Sequence, residues 1–135
     1  MSFGDDLAKF RRRTLDKYIR VKRLSAFDLF SAIILETPVD KGVLRNNWFA
    51  EIGNGSSETT DSEDPSGQRA INRTRSVLEG TDIAQDIFFT NNLPYAVPIE
   101  FDGISGKAPE GMVRINALRW DNIVRRNVRK VQNGG

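Results

Sequence analysis

The stretch Thr37-Pro38-Val39-Asp40-Lys41-Gly42-Val43-Leu44-Arg45-Asn46-Asn47-Trp48-Phe49-Ala50-Glu51-Ile52 joins two kinds of periodicity, and the fold class follows from the change between them. Before it, apolar residues recur every three or four positions, at Phe3, Leu7, Phe10, Tyr18, Val21, Leu24, Phe27, Phe30 and Ile34. That is helical spacing, with one gap around Thr14. Ser2 and Asp5 have capping-box spacing, Asp replacing the preferred Glu or Gln. Thr37-Pro38 stops the helix, because proline disfavours helical backbone in the residue before it. After the stop, Trp48, Ala50 and Ile52 alternate with Phe49 and Glu51, which is the period of a strand. Between helix and strand, Val39-Asp40-Lys41-Gly42 reads as a tight turn. Asp40 would bond nearby amides, Gly42 would take a positive φ, and Leu44 and Trp48 would anchor the turn to the core.

A helix over residues 3–36 would be roughly 50 Å long at ~1.5 Å per residue. A domain of this size has a radius of gyration near ~14 Å. The helix must either bend near Thr14 or project and meet a neighbour.

Downstream, residues 53–64 contain no hydrophobe, so burial cannot offset their ordering entropy and a mobile loop is expected. Asp64-Pro65 reads as an N-cap followed by proline at the first helical position. The helix it opens would run from about 65 to 79, carry Ala70, Ile71, Val77 and Leu78 inward, and end at Gly80. Residues 82–90, with Ile83, Ile87, Phe88 and Phe89, read as a second strand. Tyr95-Ala96-Val97-Pro98-Ile99-Glu100-Phe101 is either a third extended piece or a helical turn. Pro109 opens a last, basic helix to about residue 131, with Met112, Ile115, Leu118 or Arg119, Ile123 and Val128 near one face. This order predicts a single α+β domain over residues 1–135: a long N-terminal helix and a small, mostly antiparallel sheet with helices packed on one face.

Composition narrows the chemistry. The chain has 39% hydrophobic and 28% charged residues, as soluble globular proteins do. No apolar run approaches the ~18 residues of a membrane span. Met1 to Asp6 lacks the basic-then-apolar pattern of a signal peptide, so synthesis in the cytoplasm is expected. The absence of cysteine and histidine excludes disulfides, thiolate or imidazole zinc sites and a Ser-His-Asp triad. The net charge of +2 is unevenly spread. Lys9, Arg11, Arg12, Arg13, Lys17, Arg20, Lys22 and Arg23 crowd the first helix. Glu51, Glu58, Asp61, Glu63 and Asp64 occupy the middle. Arg114, Arg119, Arg125, Arg126, Arg129 and Lys130 make the end basic again.

Candidate ligand sites are weak. Gly53-Asn54-Gly55-Ser56 lacks the lysine and following helix of a phosphate loop. Glu58, Asp61, Glu63 and Asp64 lack the ligand alternation of a calcium loop. Nothing positions Glu100 and Asp102 as a catalytic carboxylate pair. The arginine clusters carry no base-reading motif and suit a solvated face or an acidic partner at least as well as nucleic acid. No cofactor or metal is expected.

Three pieces in order carry a resemblance: Thr37 to Trp48; then Phe89-Thr90-Asn91-Asn92-Leu93-Pro94-Tyr95-Ala96-Val97-Pro98-Ile99-Glu100-Phe101-Asp102-Gly103; then Ala108-Pro109-Glu110-Gly111-Met112-Val113. Together with the long helix ahead and the helix behind, this resembles the tail-completion, minor tail protein Z-like family of long-tailed bacteriophages. Lys41 stands where that family has a small polar residue, and Asp102 separates Glu100-Phe101 from Gly103. The family has no catalytic residues, so the resemblance implies a structural protein and no enzyme. Asp40, Gly42, Leu44, Arg45, Trp48, Pro94, Tyr95 and Glu100 would be fold anchors, Pro94 fixing an extended entry, Tyr95 in the core and Glu100 paired with Arg45. The resemblance also implies a virion location at the tail top or neck. There a ring, commonly sixfold, sits on the tail tube protein and meets a head-closure or connector protein, while viral DNA passes non-specifically through the lumen. The acidic residues Glu58, Asp61, Glu63 and Asp64 suit a lumen or a subunit interface, since a lumen works best without gripping phosphate. The competing readings are another neck protein such as head closure, a nucleic-acid-binding accessory protein suggested by a pI of about 9.1, and a carboxylate-dependent hydrolase.

Overall fold

A computed structural model describes residues 2–103 and 105–134. The elements, in order, are α1 (Phe3–Glu36), α2 (Val43–Asn46), β1 (Trp48–Ile52), α3 (Gln68–Glu79), β2 (Ile87–Asn91), α4 (Ala96–Phe101), α5 (Val113–Ala117) and α6 (Trp120–Gln132). The fold is α+β. β1 and β2 form a two-stranded antiparallel sheet in which Trp48 pairs with Asn91, Ala50 with Phe89 and Ile52 with Ile87.

The first helix has the expected bounds and cap. Ser2 Oγ accepts from the Asp5 amide at 3.1 Å, and Asp5 Oδ2 accepts from the Ser2 amide at 3.3 Å. Thr14 lies inside the helix, its hydroxyl donating back to the Phe10 carbonyl at 2.9 Å. Between bending and projecting, α1 projects. Residues 2–13 are all exposed, and Phe3 and Phe10 keep 78% and 63% of their surface open. Burial begins at Ser25 and Ala26 and peaks at Ile33 and Ile34.

The core lies at the other end of α1. Phe30, Ile33 and Ile34 meet Leu44, Trp48, Ala70, Ile71, Leu78, Ile99 and Met112. Its centre is a column of parallel rings: Phe30 stacks on Phe89 at 4.1 Å, and Phe89 on Trp48 at 4.9 Å. The alternation in β1 selects this arrangement, because Trp48 and Ala50 lie on one face and Phe89, the strand partner of Ala50, stacks on Trp48 there.

Several boundaries differ from expectation. The third helix starts at Gln68 rather than 65, after a turn ending at Gly67 with φ +76°. Asp64 still caps it from a distance, its carboxylate accepting from the Ala70 amide at 3.1 Å. Residues 82–86 are not strand. Lys22 Nζ reaches across to the carbonyls of Asp82 and Ile83 at 2.9 and 3.1 Å and to that of Gln85, and so holds them as a loop. Of the two readings for residues 95–101, the helical one is realised.

The single helix expected from Pro109 is instead a turn followed by two helices. Gly111 takes φ +86°, and α5 begins at Val113. The break between α5 and α6 is fixed by the end of α1. Glu36 accepts from Asn116 Nδ2 at 2.8 Å and from Arg119 at 2.6 Å. The break lets α6 run back antiparallel along α1, where Asn127 Nδ2 donates to Ser25 Oγ and Asp28 at 3.2 and 2.9 Å. Ile123, Asn127 and Val131 make the buried face of α6, whereas Leu118 at the break is 81% exposed and not part of it.

Candidate functional site

The motif from Thr37 to Trp48 builds a hub at the C-terminal end of α1. Helix ends leave carbonyls without intrahelical partners, and Arg45 answers them: it donates to Leu35 O at 2.8 Å, Thr37 O at 2.9 Å and Pro65 O at 2.7 Å. The Thr37 hydroxyl, fully buried, donates to Ile33 O at 2.7 Å and accepts from Trp48 Nε1 at 2.8 Å. Gly42 has the expected positive φ, +88°. Its carbonyl accepts from the amides of Asn46 and Asp64, both at 3.1 Å, which ties the turn to the start of the third helix. Leu44 and Trp48 are buried as expected. Asp40 is not the staple of the turn: it is exposed, and among the described residues nothing donates to it.

Glu100 does not pair with Arg45. Both Glu100 oxygens serve the N-terminus of α5, accepting from the Met112 and Val113 amides at 2.7 Å and the Arg114 amide at 3.1 Å, and also from Arg114 Nε at 3.0 Å. The two charges therefore serve opposite helix poles, the cation a C-terminus and the carboxylate an N-terminus. Burial alone would raise the Glu100 pKa, but the three amides and the Arg114 guanidinium outweigh it and hold the carboxyl below the usual range. A depressed folded-state pKa adds stability above the unfolded value of ~4.3, and that stability is lost as pH falls through the folded value. Glu100→Gln is expected to cost about 1–3 kcal/mol at neutral pH. The gap from wild type should narrow below about pH 4. Urea melts at both pH values check this; an equal gap at both would show that the ionised carboxylate is not what matters.

Tyr95 is 43% exposed and is not a core anchor. It stands at the start of α4, whose inward positions are taken by the smaller Ala96 and by Ile99, and Pro94 beside it is exposed.

The segment from 53 to 64 is held by asparagines, a signal that a count of hydrophobes passes over. Asn47 is fully buried; its Nδ2 donates to Thr60 O at 2.9 Å and its Oδ1 accepts from the Thr60 amide at 3.0 Å. Asn46 donates to Ser62 O at 3.2 Å, and Asn92 to the carbonyls of Ser56 and Glu58 at 2.8 and 3.1 Å. Glu58, Asp61 and Glu63 are exposed, but Asp64 is buried as the cap of the third helix and cannot face a lumen or a partner. Amide exchange should therefore be fast from Asn54 to Ser57 and markedly slower at Thr60 and Asp64. Uniform protection across 54–64 in a verified monomer would contradict the mobile reading of the loop tip.

Arg73 is a further organiser that the sequence reading missed. It donates to the carbonyls of Asn46 and Trp48 at 2.8 and 2.9 Å, and lies 4.1 Å over the Phe49 ring. Burial lowers its pKa, with Glu58 and Asp64 opposing.

Among the described residues, two uncovered apolar surfaces stand out. One is the projecting part of α1, with Phe3, Leu7 and Phe10 in one stripe. The other is an apolar groove of about 760 Å³ between α1, the 83–87 segment and α6. Among the described residues, no group of acidic side chains could hold a metal ion and no helix is long and apolar enough to cross a membrane. Compared with protein families, curated proteins and solved structures, the chain matches none.

Proposed function

We propose that this chain is a structural virion protein of a long-tailed bacteriophage, a non-enzymatic ring subunit that caps the tail tube and joins it to the head connector. The observation that carries an assembly role is the projecting α1. A single chain leaves three large apolar side chains on one stripe of an exposed helix, and such patches mark interaction sites. The phage context comes from the ordered motifs. Thr37, Gly42, Leu44, Arg45, Trp48 and Glu100 are all consumed in holding helix ends and the core, as fold anchors would be. Glu100 has both oxygens engaged, so it is poorly placed for the acid–base work of a hydrolase.

In this reading the ring is sixfold, with the tail tube protein on one side and a head-closure or connector protein on the other. DNA passes through a lumen that the exposed Glu58, Asp61 and Glu63 keep from gripping phosphate. Particles made without the chain should accumulate as filled heads and separate tails, and supplying it in trans should restore joining. Fully joined, infectious particles without it would overturn the proposal.

One observation favours a second reading, nucleic-acid binding: Arg125, Arg129 and Lys130 are exposed on α6, which packs against the basic α1. Tight DNA binding that falls steeply with salt would support it.

A further inference from the structure

We propose that the apolar groove is the docking site for the α1 tip of a second copy, with Phe3, Leu7 and Phe10 of one subunit seated against Tyr18, Val21, Ile83, Trp120, Val124 and Val128 of the next. The proposal names the contact behind the ring described above and rests on that reading only for closure of the ring.

The first argument is that ligand and receptor occur on one chain that cannot bring them together within itself. The groove wall includes Tyr18 and Val21 of α1, and the tip lies on the same unbroken helix, roughly 15 Å further along at ~1.5 Å per residue. A helix cannot fold back on its own flank. Within one subunit the stripe therefore cannot reach the groove.

The second argument is spacing. Phe3, Leu7 and Phe10 stand at i, i+4 and i+7, one helical face suited to a groove between helices. Two phenylalanines at ~150–250 Å² each supply at most about half of the ~800 Å² per partner of a standard interface, and Leu7 and the flanking side chains would have to add the rest.

The third is charge. The first turn of α1 carries Asp5 and Asp6. The groove rim carries Lys17, with Arg129 and Lys130 next in sequence to the lining residues Val128 and Val131. Asp86, also in the lining, suits the basic run Arg11-Arg12-Arg13 behind the tip. Opposed charges of this kind fix register and orientation.

Two copies that exchanged tips reciprocally would close as a twofold dimer; made in one direction only, the contact is heterologous, and repeating it gives a ring or an open chain.

The chain has no cysteine, so an introduced thiol reports a contact without background. Leu7→Cys in one preparation is mixed with Ile83→Cys in another and oxidised. Both positions are exposed, so folding should be retained, and Val128→Cys serves as a second probe of the groove. A disulfide-linked dimer is expected in each mixture, and a ladder of higher species from the chain carrying both Leu7→Cys and Ile83→Cys. As an independent readout, Phe3→Asp with Phe10→Asp should weaken self-association in sedimentation more than ~10-fold while leaving the melting temperature unchanged. Two outcomes overturn the proposal. One is Leu7→Cys cross-linking to itself and not to the groove, which would mean paired arms. The other is no cross-link to either groove probe at millimolar concentration with a wild-type circular dichroism spectrum. A cross-link from a chain absent from virions would keep the contact and reject the neck assignment; a neck ring without the cross-link would do the reverse.

Discussion

Trp48→Ala should destabilise the protein by about 3–5 kcal/mol, the range for deleting a buried aromatic side chain. Trp48 is 4% exposed and ends the ring column through Phe89 to Phe30 that joins the sheet to α1. Removing the indole leaves Phe89 without one stacking partner. It also removes the donor to Thr37 Oγ1, deep inside the structure. A cavity and a changed buried hydroxyl thus fall at the same place. Denaturant melts with unchanged slope and a lower midpoint would check it. A loss below about 1 kcal/mol would mean that the column repacks and does not hold the sheet to the helix. Tyr95→Ala makes the contrast: the residue is largely open, so its change should stay near the ~0.5 kcal/mol of ordinary surface substitutions.

Gly42→Ala should cost about 3 kcal/mol or more, though it adds one methyl. Part of this is conformational, since a φ of +88° costs an L-residue about 1–2 kcal/mol. The rest is collision. A Cβ at Gly42 would lie 2.4 Å from both the Asp64 carbonyl carbon and the Pro65 nitrogen, and backbone cannot swing aside as a side-chain end can. Moving that segment would strain the Asp64 amide's bond to Gly42 O and the Asp64 cap on the third helix. Gly53→Ala separates the two terms. Gly53 has φ +87°, but nothing lies within 4 Å of its added Cβ, so only the conformational ~1–2 kcal/mol is expected. Equal losses at the two glycines would show that the approach of the 64–65 backbone to Gly42 is not a constraint.

Local signals in the sequence carried further than long-range ones. The bounds of α1, the capping box, the stop at Thr37-Pro38, the strand at 48–52 and the positive φ of Gly42 are each written in neighbouring residues, and each is present. Where a distant group decides, the reading failed. Lys22 holds residues 82–85 out of the strand, and Glu36 sets the break that splits the last helix; each acts on residues far along the chain. The expected Arg45–Glu100 pair failed because each charge satisfied a nearer helix pole. The asparagines that hold the acidic segment were visible as Asn46-Asn47 and Asn91-Asn92, but a polarity count treats asparagine as a solvated residue, whereas its amide can replace a missing backbone partner.

These residues account for a stable body with one arm left uncovered. In the proposed ring a neighbouring subunit covers that arm, and the proposal turns on where the ring sits. Image reconstruction of intact particles of the phage proposed to carry this chain tests it most directly. The account predicts a ring of this subunit, six copies around the DNA path, between the tail tube and the head connector, with the first turns of each α1 lying against the next subunit. Absence of the chain from the particle, or isolated copies on the capsid surface, would contradict it.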